Sequence, residues 1–143
     1  MNNKKVTKEV KNIVYKRAKA CCEYCFSQSR YSTQSFSIDH IIPISKGGDA
    51  SLNNLALSCQ GCNNHKYNKL LVIDPLTFDE VLLYNPRLNS WKDHFHWSYD
   101  YSLILGITKI GRATVEELRL NRKGLINLRK ILYKEGEHPP FIQ

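Results

Sequence analysis

Two cysteine pairs, Cys22-x-x-Cys25 and Cys59-x-x-Cys62, limit what this chain can become more than any other feature. A tight turn of that spacing presents both sulfurs to one side, and two such turns supply four soft donors in a tetrahedron. That is the ligand set of a closed structural zinc site. A disulfide framework fits a secreted chain better than this one, and free buried thiols have no reason to fall into two matched pairs. Cys21 is left over. It offers an alternative partner for Cys25, but the two-residue gap after Cys22 makes the better knuckle. The pairs bracket 33 residues, and an ion held between them would clamp whatever folds inside and add directly to folding free energy.

A length of 143 residues with 42% hydrophobic composition supports one packed core, so a single domain spanning 1–143 is expected. The longest apolar runs, such as Val81 to Tyr84 and Leu103 to Ile107, are far shorter than the roughly 18 residues that a membrane-spanning helix needs. No membrane partner is expected. Met1 to Val6 is polar and lysine-bearing with no apolar stretch behind it, so the expectation is a cytoplasmic protein without a secretory signal.

The formal charge of +8 is unevenly spread. Residues 1–20 carry a net +6, residues 107–134 another +6, and the stretch 21–106 a net −2. Two basic flanks around a mildly acidic centre suit the grip of a polyanion while the centre holds cations; solvated helix faces are the plainer reading of the same clusters.

Val6, Val10, Ile13, Val14 and Ala18 recur at helical spacing behind Thr7, which predicts an amphipathic helix over 8–20. Phe36-Ser37-Ile38 alternates as a short strand ending at Asp39-His40, and Leu55-Ala56-Leu57 reads as a second, with Pro43 and Gly47-Gly48 breaking the segment between them. A helix is expected from Cys62 through Leu70. Beyond Pro75, strands are expected at Val81–Tyr84, Phe95–Trp97 and Tyr101–Leu105. Thr114-Val115-Glu116-Glu117 has the form of a capping box, and Leu125, Leu128, Ile131 and Leu132 make the stripe of a further helix.

Inside the cysteine bracket runs Ile38-Asp39-His40-Ile41-Ile42-Pro43, then Gly47-Gly48, Asn54-Leu55, and Cys59-Gln60-Gly61-Cys62-Asn63-Asn64-His65-Lys66. In order and spacing this string resembles the HNH nuclease family, over residues 22 to 66, about a third of the chain. The stretch from Leu83-Tyr84-Asn85-Pro86-Arg87 through Trp91, His94-Phe95-x-Trp97 and Gly111-Arg112-Ala113-Thr114 is similar to the C-terminal extension of a subgroup common in cyanobacteria. The resemblance implies an α+β fold: a ββα-metal (His-Me finger) core at 22–70 stapled by the four-cysteine zinc site, an N-terminal helix at 8–20, and C-terminal strands and helices over 75–143.

Phosphodiester hydrolysis needs a deprotonated water opposite the leaving oxygen, and charge to neutralise the phosphate and that oxygen. Imidazole suits the first task and a hard divalent ion on carboxylate and amide oxygens the second. Asp39 and His40 are adjacent on an extended segment, so their side chains point to opposite sides. The resemblance implies His40 as general base, Asp39 and Asn63 as ligands of a catalytic Mg²⁺ or Mn²⁺, and Asn54 as the residue that holds the loop after His40. Asn63 stands where family members carry either His or Asn. Lys66, one turn beyond Asn63, is the expected phosphate contact, with Lys69 and Arg112 as further candidate contacts to nucleic acid. His65, His94 and His96 receive no role. DNA, double-stranded, is the expected partner. A zinc-knuckle binding module without chemistry and a zinc-stabilised protein-interaction module are the competing readings.

Overall fold

The computed structural model describes residues 6–141. The expectation drawn from the polar N-terminus therefore rests mostly on residues 1–5, outside the described residues. The first helix, α1 (Lys8–Arg17), is capped by Thr7, whose hydroxyl accepts from the Val10 amide at 3.2 Å. It stops short of the expected residue 20 because Lys19 and Ala20 adopt left-handed backbone, with φ of 54° and 57°. That reversal turns the chain back so that Glu23 can pair its backbone N–H with Leu57 O and accept the Leu57 amide on its carboxylate. The first knuckle is thereby stitched to the edge of a strand.

Strands β1 (Ser37–His40) and β2 (Leu55–Ser58) pair antiparallel, with Ser37 opposite Ser58 and His40 opposite Leu55. The loop between them closes on itself. Gly47 takes φ of 94°, and a Cβ at Gly48 would lie 1.8 Å from Ile42 O, so only glycine fits there. Helix α2 (Gln60–Lys66) follows at once, capped by Cys59, whose sulfur accepts from the Cys62 amide. It begins earlier and ends earlier than the 62–70 expected, because Cys59 starts it and Tyr67, at φ of 49°, ends it. The apolar stripe of α1 covers Leu55 and Leu57, while α2 lies against β1.

The remaining chain forms β3 (Leu71–Ile73), β4 (Glu80–Leu82), α3 (Trp91–His94), β5 (Phe95–Trp97), β6 (Ile104–Gly106), α4 (Lys109–Leu118) and α5 (Lys123–Lys134). β3 pairs with β4 and β5 with β6, so the described strands make three separate two-stranded antiparallel sheets. This is a small mixed α/β arrangement. β3 has no counterpart in the sequence reading, and β6 starts later than Tyr101 because Ser98, Asp100 and Ser102 close a hydrogen-bonded turn first.

The capping box at Thr114 is a correction. α4 begins at Lys109 on Thr108, whose hydroxyl accepts from the Gly111 amide at 3.0 Å. Thr114 sits inside the helix, fully buried, with its hydroxyl accepting the Tyr84 amide at 3.0 Å. A buried backbone N–H without a partner is costly, and Thr114 supplies one. α4 packs against α2, β3, β4 and β6, and so joins the cysteine-bracketed segment to the C-terminal half. The main core, with Trp91, Phe95, Ile104, Leu118 and Leu120, runs continuously into the four cysteines. No helix among the described residues is long and apolar enough to cross a membrane.

Candidate functional site

Cys22, Cys25, Cys59 and Cys62 are all buried, and their sulfurs lie within 4.8 Å of one another. A tetrahedron of 2.3 Å zinc–sulfur bonds has edges of about 3.8 Å, and Cys25 Sγ lies 3.7 Å from Cys59 Sγ. The cluster fits a structural zinc site. Each knuckle is closed by an amide donating to its first sulfur, Cys25 N to Cys22 at 3.5 Å and Cys62 N to Cys59 at 3.4 Å. Cys21 stays outside, its thiol turned to Lys19 O at 3.4 Å and pushed up to about 11 chiefly by burial.

The sequence reading missed a cation at this cluster. Arg122, at the start of α5, donates to Cys59 Sγ at 3.5 Å and to Cys62 Sγ at 3.7 and 3.8 Å. It is held there by Leu118 O and Arg119 O at the end of α4. Its guanidinium lies so close over Gly61 that a Cβ there would come within 2.7 Å. A four-thiolate zinc site carries a formal charge of −2, and a guanidinium facing two of its sulfurs offsets part of it. The separation of 60 positions between Cys62 and Arg122 hid this contact from spacing arguments.

β1 separates its side chains as an extended strand must. Ile38 and His40 face a cleft of about 520 Å³, which Asn63 of α2 and Lys11, Asn12 and Tyr15 of α1 also line. His40 Nε2 is buried and has no hydrogen-bond partner among the described residues. Asp39 turns the other way, into the core, 5% exposed. There it accepts from Tyr24 Oη at 2.6 Å and from Lys66 Nζ at 3.1 and 3.2 Å. Burial pushes the Asp39 carboxyl above its ordinary value, against the pull of Lys66 and the Tyr24 hydroxyl.

Two expectations change here. Lys66 is 1% exposed and also donates to His40 O at 3.1 Å and Ile41 O at 2.9 Å, so in this arrangement it cannot reach a phosphate. Asp39 is bonded to Tyr24 and to the Lys66 ammonium, on the side of β1 away from the cleft. Asn63 lines the open side of the site without it.

Asn54 is 8% exposed and its carboxamide makes three bonds to the loop that follows His40. The oxygen accepts from Ile42 N at 2.8 Å; the nitrogen donates to Ile42 O at 3.0 Å and Asp49 O at 2.8 Å. Its backbone carbonyl accepts from Ile41 N.

The other expected contacts to nucleic acid are also engaged with carboxylates. Lys69 pairs with Glu117, and Arg112 grips Asp74 with two bonds of 2.9 and 3.0 Å, which holds the Asp74 carboxyl well below its ordinary value. Of the basic C-terminal flank, Lys109 pairs with Asp79, and Arg129 is buried against Leu120 O, Ser102 O and the Trp97 ring. His94 Nδ1 meets Thr108 Oγ1, and His65 lies outside the cleft. A cavity of about 1000 Å³, an aromatic groove between the β5–β6 turn and the end of α5, holds none of the expected site residues.

No curated protein matches the chain. Residues 22–69 match the family model described as HNH endonuclease, and this segment, which contains the four cysteines, His40, Asn54 and Asn63, is an HNH endonuclease domain.

Proposed function

We propose that the protein is an endonuclease that hydrolyses phosphodiester bonds of double-stranded DNA, with His40 as general base. The observation that carries the reading is the His40 imidazole: it faces a cleft, and its Nε2 is buried without a partner. A buried polar atom left unpaired is rare and calls for a ligand such as water or substrate. In the proposed reaction the His40 imidazole takes a proton from a water in the cleft. The water oxygen bonds to phosphorus as the bond to the 3′ oxygen breaks, leaving a 5′-phosphate and a 3′-hydroxyl that is protonated from solvent.

Asn54 acts as a positioning residue. Its bonds to Ile42 and Asp49 fix the backbone just after the base, and a displacement of the order of 1 Å there would be costly to the rate. HNH nucleases use a divalent metal, and Mg²⁺ or Mn²⁺ is the ion proposed here, since an amide oxygen such as that of Asn63 suits a hard cation. When bound, that ion supplies charge to the phosphate and leaving oxygen. Asp39 is left out of its ligand set for as long as Lys66 and Tyr24 hold it.

The engagement of Asp39 favours a second reading, a zinc-stabilised module that binds DNA without cutting it. Supercoiled plasmid incubated with zinc-loaded protein and Mg²⁺ or Mn²⁺ separates the two. Nicking or linearisation, reduced at least about 10²-fold by His40→Ala, is expected if imidazole is the base. Equal rates for His40→Ala and the unaltered protein would overturn the assignment of the base, and DNA binding without cleavage under either metal would establish the second reading.

A further inference from the structure

The family match begins at residue 22 and leaves α1 without a task. The helix carries two stripes. Val6, Val10, Val14 and Ala18 pack on Leu55, Leu57, Phe36 and Ile38, and this contact fixes the rotation of α1 about its axis. Rotation in turn fixes where Lys11, Asn12 and Tyr15 point, which is into the cleft shared with His40 and Asn63. Tyr15 is occupied, its hydroxyl bonded to Ser29. Lys11 and Asn12 are exposed, and neither side chain has a partner among the described residues.

An ammonium and a carboxamide aimed across a cleft at an unpartnered imidazole offer donors and positive charge with no acceptor to satisfy them. The non-bridging oxygens of a phosphodiester are that acceptor. Four cations of the C-terminal flank, Lys109, Arg112, Arg122 and Arg129, are already engaged by carboxylates, thiolates or the core, and no residue of that flank lines the cleft. We propose that α1 is the phosphate-gripping arm of the site, with Lys11 and Asn12 donating to backbone phosphates of DNA lying between α1 and β1. The inference rests on the reading of the His40 cleft as a nuclease site. Lys11 neutralises one phosphate; Asn12 orients the strand without adding charge.

The test uses zinc-loaded full-length protein carrying His40→Ala, without added Mg²⁺ or Mn²⁺, and a fluorescently labelled DNA duplex read by anisotropy between about 50 and 200 mM NaCl. Adding Lys11→Met is expected to weaken binding and to reduce the slope of log K against log salt by about 0.9, one phosphate contact. Adding Asn12→Ala is expected to weaken binding at every salt concentration with the slope unchanged. Lys16→Met, on α1 but outside the cleft, is expected to leave the slope as it was. Equal slopes for Lys11→Met and Lys16→Met, whether both fall or neither does, would overturn the proposal, since α1 would then act at most as a diffuse positive surface. In the catalytically intact background Lys11→Met should raise KM with kcat largely kept. Absence of cleavage would sink the nuclease reading alone, because the anisotropy series reports on α1 without any cutting.

Discussion

Lys66 and Asp39 form a buried ion pair at the point where β1 ends, and a buried pair is most damaging when half of it is removed. Lys66→Met should cost about 3–5 kcal/mol, read by urea denaturation of the zinc-loaded protein, because Asp39 loses its counter-charge and keeps only the Tyr24 hydroxyl, beside two carbonyls that lose their donor. Lys66→Met with Asp39→Asn should recover part of that loss; a single variant within about 1 kcal/mol of the original would show that the pair does little for stability. Arg122 acts on the thiolates of Cys59 and Cys62 from outside the ligand set, where such partners typically change metal affinity by about 10–100-fold. Arg122→Ala is therefore expected to release zinc to a chromogenic chelator about tenfold faster, with Arg122→Lys in between, since one ammonium cannot face two sulfurs as a planar fork does. Neither contact is local in the chain: Asp39 and Lys66 stand 27 positions apart, and Cys62 and Arg122 stand 60 apart. The cysteine cluster was readable because the meaning of each pair lies in short-range spacing, whereas the roles read for His40 and Asn54 came from the resemblance. The burial of Lys66, and with it the loss of a phosphate contact, is a property of packing that no spacing encodes.

At the scale of elements, the turn joining β5 to β6 should respond to acid. Hydrogen bonds from Ser102 and Ser98 push the Asp100 carboxyl down to about 2. A carboxyl depressed by folding contributes stability that is present above its unfolded value near 3.9 and lost as pH falls through its folded value. The stability difference between the original chain and Asp100→Asn should thus hold above pH 4 and shrink toward pH 2; a difference constant over that window would contradict the assignment. The same turn explains why a strand expected from Tyr101 begins at Ile104. Helices were legible where an apolar stripe and a cap coincide, as in α1, and misread where two threonines competed. Thr108 and Thr114 look alike as caps, and only the neighbouring Tyr84 amide, 30 residues back in the chain, decides that Thr114 serves the core.

For the whole molecule, the cysteine cluster lies inside the main hydrophobic core and α4 bridges both halves, so metal loss should not stay local. Stripping zinc with a chelator is expected to abolish the near-ultraviolet signal of Trp91 and Trp97 together with the helical signal in one transition. Retention of the tryptophan signal in metal-free protein would show that the C-terminal half folds on its own. One consequence concerns tolerance to inserted residues. β1 turns Asp39 into the main core and His40 toward the cleft beside α1, so a shift of a single residue against β2 would exchange the two. Both ends of the hairpin resist that shift: Gln60 holds Ser35 O and Ser37 Oγ at one end, and Asn54 holds Ile42 at the other. An added residue between Gly48 and Asn54 can bulge outward and leave the pairing intact, whereas one added between Ser37 and Ile42 must either break those bonds or turn the imidazole away from the cleft.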